Sequence, residues 1–137
     1  MITYHQDKKI TANEYIQILI ESTLGERRPI DDYQKIVKMV EHADILITAW
    51  DKDKLVGVVR SLSDFSFFTY LGDLAVHIDY QHQGIGKELI KKTREIAGTD
   101  HILLLTASPA AKDYYEHIGF KKSDRTWILL PNDKLNQ

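Results

Sequence analysis

Gly84 and Gly86 stand one residue apart, after an apolar run through Leu74, Ala75 and Val76 and before a stretch in which Leu89, Ile90, Thr93, Ile96 and Ala97 recur at helical spacing. The pattern from Leu71 to Ala97 predicts a strand, a glycine loop and a helix N-terminus. Such a unit can capture an anion. The first amides of a helix have no partner within it, they point the same way, and the helix dipole adds attraction for negative charge. Glycine lets a ligand approach the backbone closely and adopts positive φ at little cost. A phosphate suits this arrangement, although the same glycines would also serve a plain strand-to-helix turn. Two familiar phosphate motifs are excluded. The dinucleotide pattern needs a third glycine where Leu89 stands, and the P-loop needs one where Gln81 stands.

Other residues near this stretch carry chemistry of their own. Asp73 is a carboxylate inside the apolar run Leu71 to Val76, so it must either face a cavity or find a partner. His77 follows the same run, where a lone histidine is more often surface or a satisfied core group. His82 falls among the loop amides and would face a phosphate. The chain has no cysteine, which excludes disulfides, thiolate metal sites and an acyl-cysteine intermediate. No histidines and acids show metal-ligand spacing, so no metal is expected.

The elements that position these residues can be read in order. Ile2 to His5 alternates as a short first strand, and Thr11 caps a helix carrying Tyr15, Ile16, Leu19 and Ile20 that ends near Gly25. The charged connector Glu26-Arg27-Arg28-Pro29 leads to a second helix, capped by Asp31 or Asp32, with Ile36, Val37, Val40 and Ala43 on one side. Arg27 and Arg28 could bind an acidic group, or be simply solvated. Ile45 to Trp50 and Leu55 to Leu62 form an antiparallel hairpin about Asp51 to Lys54. Phe67 to Ile78 returns as a third antiparallel strand into the glycine loop. The loop's helix stops at Gly98. His101 to Ala107 reads as a strand buried on both faces and reached by a helical crossover, hence parallel to its predecessor. Ser108-Pro109 starts a last helix with Ala111, Tyr114, Tyr115 and Ile118, closed by Gly119, and Arg125 to Leu130 is a final strand.

Composition sets the frame. At 137 residues with 43% hydrophobic and 28% charged side chains, the chain is of single-domain size and ordinary globular make-up. A net charge of -2 gives no electrostatic case for nucleic acid or an anionic membrane as partner. No apolar stretch approaches the ~20 residues that span a bilayer, and the first residues do not form a secretory signal, so the expected location is cytoplasmic.

Two strings together resemble the GNAT superfamily of acetyl-CoA-dependent N-acetyltransferases. Gln81-His82-Gln83-Gly84-Ile85-Gly86 is similar to that family's Q/R-x-x-G-x-G string, and Ala111 to Phe120 is similar to its A-x-x-x-Y-x-x-x-G-F signature. The resemblance covers roughly the C-terminal half, and the order of the preceding elements agrees with it. It implies an α/β GNAT fold over 1–137 as one domain: a central mixed, mostly antiparallel sheet of about six to seven strands flanked by about four helices. It further implies that acetyl-CoA lays its pyrophosphate on His82, Gln83, Gly84, Ile85, Gly86 and Lys87, with its thioester arm along backbone groups of Leu74, Ala75 and Val76 where two strands splay. Ser108 stands where the family often has asparagine; it can still contact the arm, at shorter reach.

The implied reaction is direct transfer of an acetyl group to a primary amine of a small molecule or peptide. It needs a base for the ammonium, stabilisation of a developing oxyanion and an acid for the departing thiolate. By resemblance Tyr115 is the acid, with Tyr114 as packing neighbour; as residues alone, both suit an aromatic core. Asp73, acting directly or through water, is the candidate base, and a salt-bridged strand residue is its alternative reading. His77 is the next choice. The acceptor pocket would draw on Leu24 to Asp32, on Ser61 to Thr69 with Phe65, Phe67 and Phe68, and on Trp127. Relatives of this kind often dimerise, so a homodimer is one assembly the resemblance allows. The alternative function is a GNAT-like module that binds CoA without useful catalysis, as a sensor or assembly partner.

Overall fold

The computed structural model describes residues 1–136, and the chain divides into two compact units, Met1–Thr106 and the residues from Ala107 onward. The first unit holds β1 (Ile2–His5), α1 (Ala12–Glu21), α2 (Tyr33–Glu41), β2 (Ile45–Asp51), β3 (Lys54–Ser63), β4 (Phe68–Val76), α3 (Ile85–Ala97) and β5 (Ile102–Leu105). The strands form one sheet in sequence order, antiparallel except for the parallel β4–β5 pair that the α3 crossover imposes.

Adjacent residues of a strand point to opposite faces, and the two faces carry different helices. Val58 and Ala75 pack with Tyr15, Ile18 and Leu19 of α1 and Ile36 of α2 in one core. On the other face a Cβ at Gly57 would lie 3.3 Å from Ile85 and Leu89 of α3, so the missing side chain lets that helix approach closely. Thr11 caps α1 through a full capping box with Glu14, and Asp32 caps α2 by accepting from the Lys35 amide. The β2–β3 strands run further into the polar segment than expected and leave only Lys52 and Asp53 as the turn, Lys52 taking φ 55°.

Three expectations need correction. Among the described residues the sheet has five strands, not six to seven: Arg125 to Leu130 forms no ladder, and Trp127 is 93% exposed. Residues of high β-propensity make a strand only where a neighbour offers its edge. β5 is not buried on both faces: Ile102 is exposed and Leu103 to Leu105 are half-buried, and among the described residues β4 is the one strand it pairs with. In the second unit, α4 spans Lys112–His117 and starts later than Ser108-Pro109, because the Ser108 carbonyl accepts the Ala111 amide in a turn that precedes the helix. Ser108 therefore does not cap it.

Candidate functional site

β4 is the axis of the site. It pairs with β3 over Thr69 to Val76 but with β5 only from Phe68 to Leu71, so among the described residues no strand pairs with its other edge from Gly72 to Val76. The ladder ends with β5 at Leu105, opposite Leu71, short of the residues along which the resemblance implies a thioester arm. The His77 amide donates to the Val56 carbonyl at 2.8 Å. Alternation along an antiparallel ladder then turns the backbone groups of Ala75 towards β3 and those of Leu74 and Val76 towards the open edge. Gln81 confirms the direction, its Nε2 donating to the Val76 carbonyl at 3.0 Å.

The chain leaves β4 through a 3-10 turn, Ile78–Tyr80, that is pinned on several sides. The Tyr80 hydroxyl donates to Asp51 at 2.6 Å, and the Asp79 amide donates to His77 Nδ1 at 3.1 Å. Burial against Tyr80 and an Nε2 placed 3.6 Å from Glu21 complete the surroundings of His77. His82 then takes φ 64° and Gly84 φ 86°, and α3 begins at Ile85. Among the described residues no side chain caps this helix, and a Cβ on Gly84 would meet nothing within 4 Å. The glycine is required by its backbone angle and the space in front of it is open. His82, Gln83 and Lys87 are exposed around it, Gly86 is half-buried and Ile85 is buried into the α3 core. The cradle fits a phosphate: unspent amides at a helix start, no competing side chain, and an adjacent lysine.

Asp73 has found partners. Its side chain, 1% exposed as a residue, accepts from Arg28 Nε at 2.5 Å, from Arg60 Nε at 2.6 Å and from the Tyr15 hydroxyl. Burial alone would raise its pKa, but hydrogen bonds and charge from Arg60, joined by Tyr15 and Arg28, outweigh it and hold the carboxyl below its usual value. Tyr15 moves the other way: burial first, then the Asp73 charge, push its hydroxyl well above the ordinary tyrosine value. Arg28 belongs to the connector between α1 and α2, and it also donates to the carbonyls of Arg27 at 2.8 Å and Gly72 at 2.9 Å. It thereby ties that connector to β4 at the first residue of the open edge. Arg27 is exposed.

Arg60 and Tyr15 were not singled out from the sequence. Arg60 carried the same signal as Asp73, a charge within an apolar strand run, and the two are register partners on β3 and β4. Tyr15 looked like any aromatic on the inner face of a helix; its hydroxyl needs a partner when buried, which is the clue it offered.

In the second unit Tyr115 lies half-buried on α4, edge-on to Tyr114 at 5.3 Å and to Phe120 at 5.5 Å between ring centres. The Phe120 amide donates to the Tyr115 carbonyl at 2.9 Å, and Gly119, at φ 114°, turns the chain after the helix. A cavity of about 290 Å³ in the first unit is lined by Tyr4, His5, Asp7, Lys92 and Glu95 among others, and holds none of the sequence-predicted residues. Among the described residues no group of three or more His, Cys, Asp or Glu is placed to hold a metal, and no helix is long and apolar enough to cross a membrane.

Comparison with known proteins agrees with this architecture. The model of the acetyltransferase (GNAT) domain family matches residues 26–128. The uncharacterized N-acetyltransferase ycf52 of Porphyra purpurea is 31% identical over 123 residues, covering 84% of this chain and 67% of that protein. Its counterpart in Gracilaria tenuistipitata var. liui is 27% identical over 122 residues, 81% of this chain and 65% of that protein. The chain thus spans about two thirds of the length of these curated relatives. A GNAT-family acetyltransferase structure from Streptococcus pneumoniae superposes with a TM-score of 0.77 at 22% identity, covering 98% of this chain and all of the other. With its glycine loop before α3, a β4 that runs on past the end of its ladder with β5 and a family match across three quarters of its length, this chain belongs to the GNAT family of acetyltransferases.

Proposed function

We propose that the protein transfers an acetyl group from acetyl-CoA directly to a primary amine of a small molecule or peptide. The observation that carries this reading is the open edge of β4 from Gly72 to Val76, lying in sequence just ahead of an uncapped helix start with room in front of Gly84. The pyrophosphate would rest on the amides of Gly84 to Lys87, with His82 and Gln83 at the rim. The arm would lie along Leu74 and Val76, whose outward amides and the Leu74 carbonyl can bind it as a neighbouring strand would; Ala75, with its backbone groups towards β3 and its side chain in the α1–α2 core, is assigned to holding the strand in place. An amide held at that edge is also placed to polarise the thioester carbonyl.

In the reaction the acceptor nitrogen forms a bond to the acetyl carbon and gives up an N–H proton to solvent, the carbon–sulfur bond breaks, and the thiolate takes a proton. Tyr115 is assigned as the donor of that proton, which the family string around Gly119 supports, and Ser108, standing where the family often has asparagine, as a shorter-reaching contact of the arm. For Asp73 the geometry favours a role different from a base. A carboxylate that accepts from two guanidiniums and a tyrosine, and is held below its usual pKa, has little tendency to take up a proton. We assign it the anchoring of Arg28 and the connector, with the acceptor losing its proton to solvent before attack. His77, whose Nδ1 accepts from the Asp79 amide, is assigned to shaping the loop. The family match runs across the boundary at Thr106, which supports one acetyltransferase domain made of both units.

The test is a thermal shift with acetyl-CoA, CoA, ATP and NAD side by side, followed by thiol release in the presence of an amine panel. A ligand bound only by the folded state raises the midpoint by mass action, about 2.7 kcal/mol at a hundredfold excess over Kd. A shift with the CoA species alone, and amine-dependent thiol release, is the expected result. A shift without thiol release for any amine would favour the CoA-binding module, and no shift would overturn the cradle.

A further inference from the structure

The wall beside the open edge carries more positive than negative charge. Arg28 and Arg60 share the single carboxylate of Asp73, and among the described residues no second acid pairs with either. Tyr15, the third donor, is neutral. One positive charge is therefore uncompensated, in side chains only 24% and 14% exposed. The acids of the connector do not cancel it: Glu26, Asp31 and Asp32 are exposed, where water and salt screen them, and Asp32 is spent on capping α2. A guanidinium has five N–H groups, and the three bonds from Arg28 to Asp73, Arg27 and Gly72 leave two. The surplus is centred on Gly72 and Asp73, the first residues of β4 beyond its ladder with β5.

We infer that Arg28 is an anion subsite that selects acceptor amines bearing a carboxylate a few atoms from the nitrogen, as an α-amino acid does. This rests on the acetyltransferase reading above. A single surplus charge matches a carboxylate, whereas a phosphate dianion would overcompensate it, and the planar fork of arginine suits two carboxylate oxygens. The same face is apolar next to the cluster. Arg60 and Leu62 alternate along β3 and so share a face, Leu62 is 44% exposed, and its register partner Tyr70 is half-buried. An apolar side chain on the acceptor would find contacts there.

The probes are L-phenylalanine against L-phenylalaninamide as acceptors, and N-acetyl-L-phenylalanine against its amide as product ligands of the CoA-bound protein. The acid should exceed the amide at least tenfold in kcat/KM, although the amide's less basic amine favours it chemically. Only the acid product should raise the melting temperature further. Arg28→Gln should abolish both preferences, mainly through KM, while leaving the shift given by CoA alone; Arg28→Lys, which keeps the charge and is the safer variant to fold, should restore part of them. Equal response to acid and amide, or response to neither, overturns the anion subsite even when other amines are acetylated. Loss of the CoA shift in the unsubstituted protein would instead sink the parent reading.

Discussion

Arg60 and Asp73 are register partners on neighbouring strands, and their side chains meet at 2.6 Å on the face that receives Tyr15. That pairing makes Asp73 a structural centre. Asp73→Asn leaves two largely buried guanidiniums without a counter-charge, and breaking a buried pair by removing one partner costs about 3–5 kcal/mol. Tyr15→Phe removes one donor of three to the same carboxylate and should cost about 1 kcal/mol. Chemical denaturation of both variants checks the order. A nearly neutral Asp73→Asn with lost activity would return Asp73 to the role of base.

The same carboxylate sets the acid limb of stability. Asp73 has a folded pKa below the ordinary value of 3.8, so its contribution is complete above that value and is lost as the pH falls through the folded one. Asp64 adds a second term at the β3–β4 turn. The amides of Phe68, Phe67 and Ser66 donate to its carboxylate and bring its pKa to about 2. Stability should therefore hold down to about pH 4 and fall below it, with the Asp64 part spread down towards 2. Thermal melts in that window should show a flatter dependence for Asp73→Asn than for the unsubstituted protein.

Much of the first unit was legible from local pattern, because capping residues, hairpin turns and helical spacing act over a few residues. Thr11, Asp32 and the glycines at 84 and 86 announced their elements directly. What the pattern could not supply was pairing at a distance. Asp73 left two readings open, and the choice between them needed Arg28, 45 residues away, and Tyr15, 58 residues away. The strand count failed for a related reason: Trp127 to Leu130 has the composition of a strand, but composition does not provide an edge to pair with.

Tyr115→Phe keeps the ring that stacks edge-on with Tyr114 and Phe120 and removes the hydroxyl assigned to the thiolate. Loss of a positioned acid costs about a hundredfold to ten-thousandfold in turnover. CoA affinity should stay within a factor of two to three, read by titration. Equal losses in turnover and affinity would remove Tyr115 from the acid role.

Gly84 and Gly86 allow stability and binding to be pulled apart. Gly84→Ala meets no atom within 4 Å, so its cost is that of a side chain at φ 86°, about 1–2 kcal/mol. Gly86 sits in the first turn of α3, where alanine is the better helix former, by at most about 1 kcal/mol. By helix propensity alone, Gly86→Ala would leave folding unchanged or slightly improved. Both substitutions put a methyl group beside the amides assigned to the pyrophosphate, and both should weaken CoA binding tenfold or more. A Gly86→Ala protein that melts no lower yet binds CoA poorly would locate the ligand at this helix start. Undiminished affinity in both variants would reduce the loop to a turn.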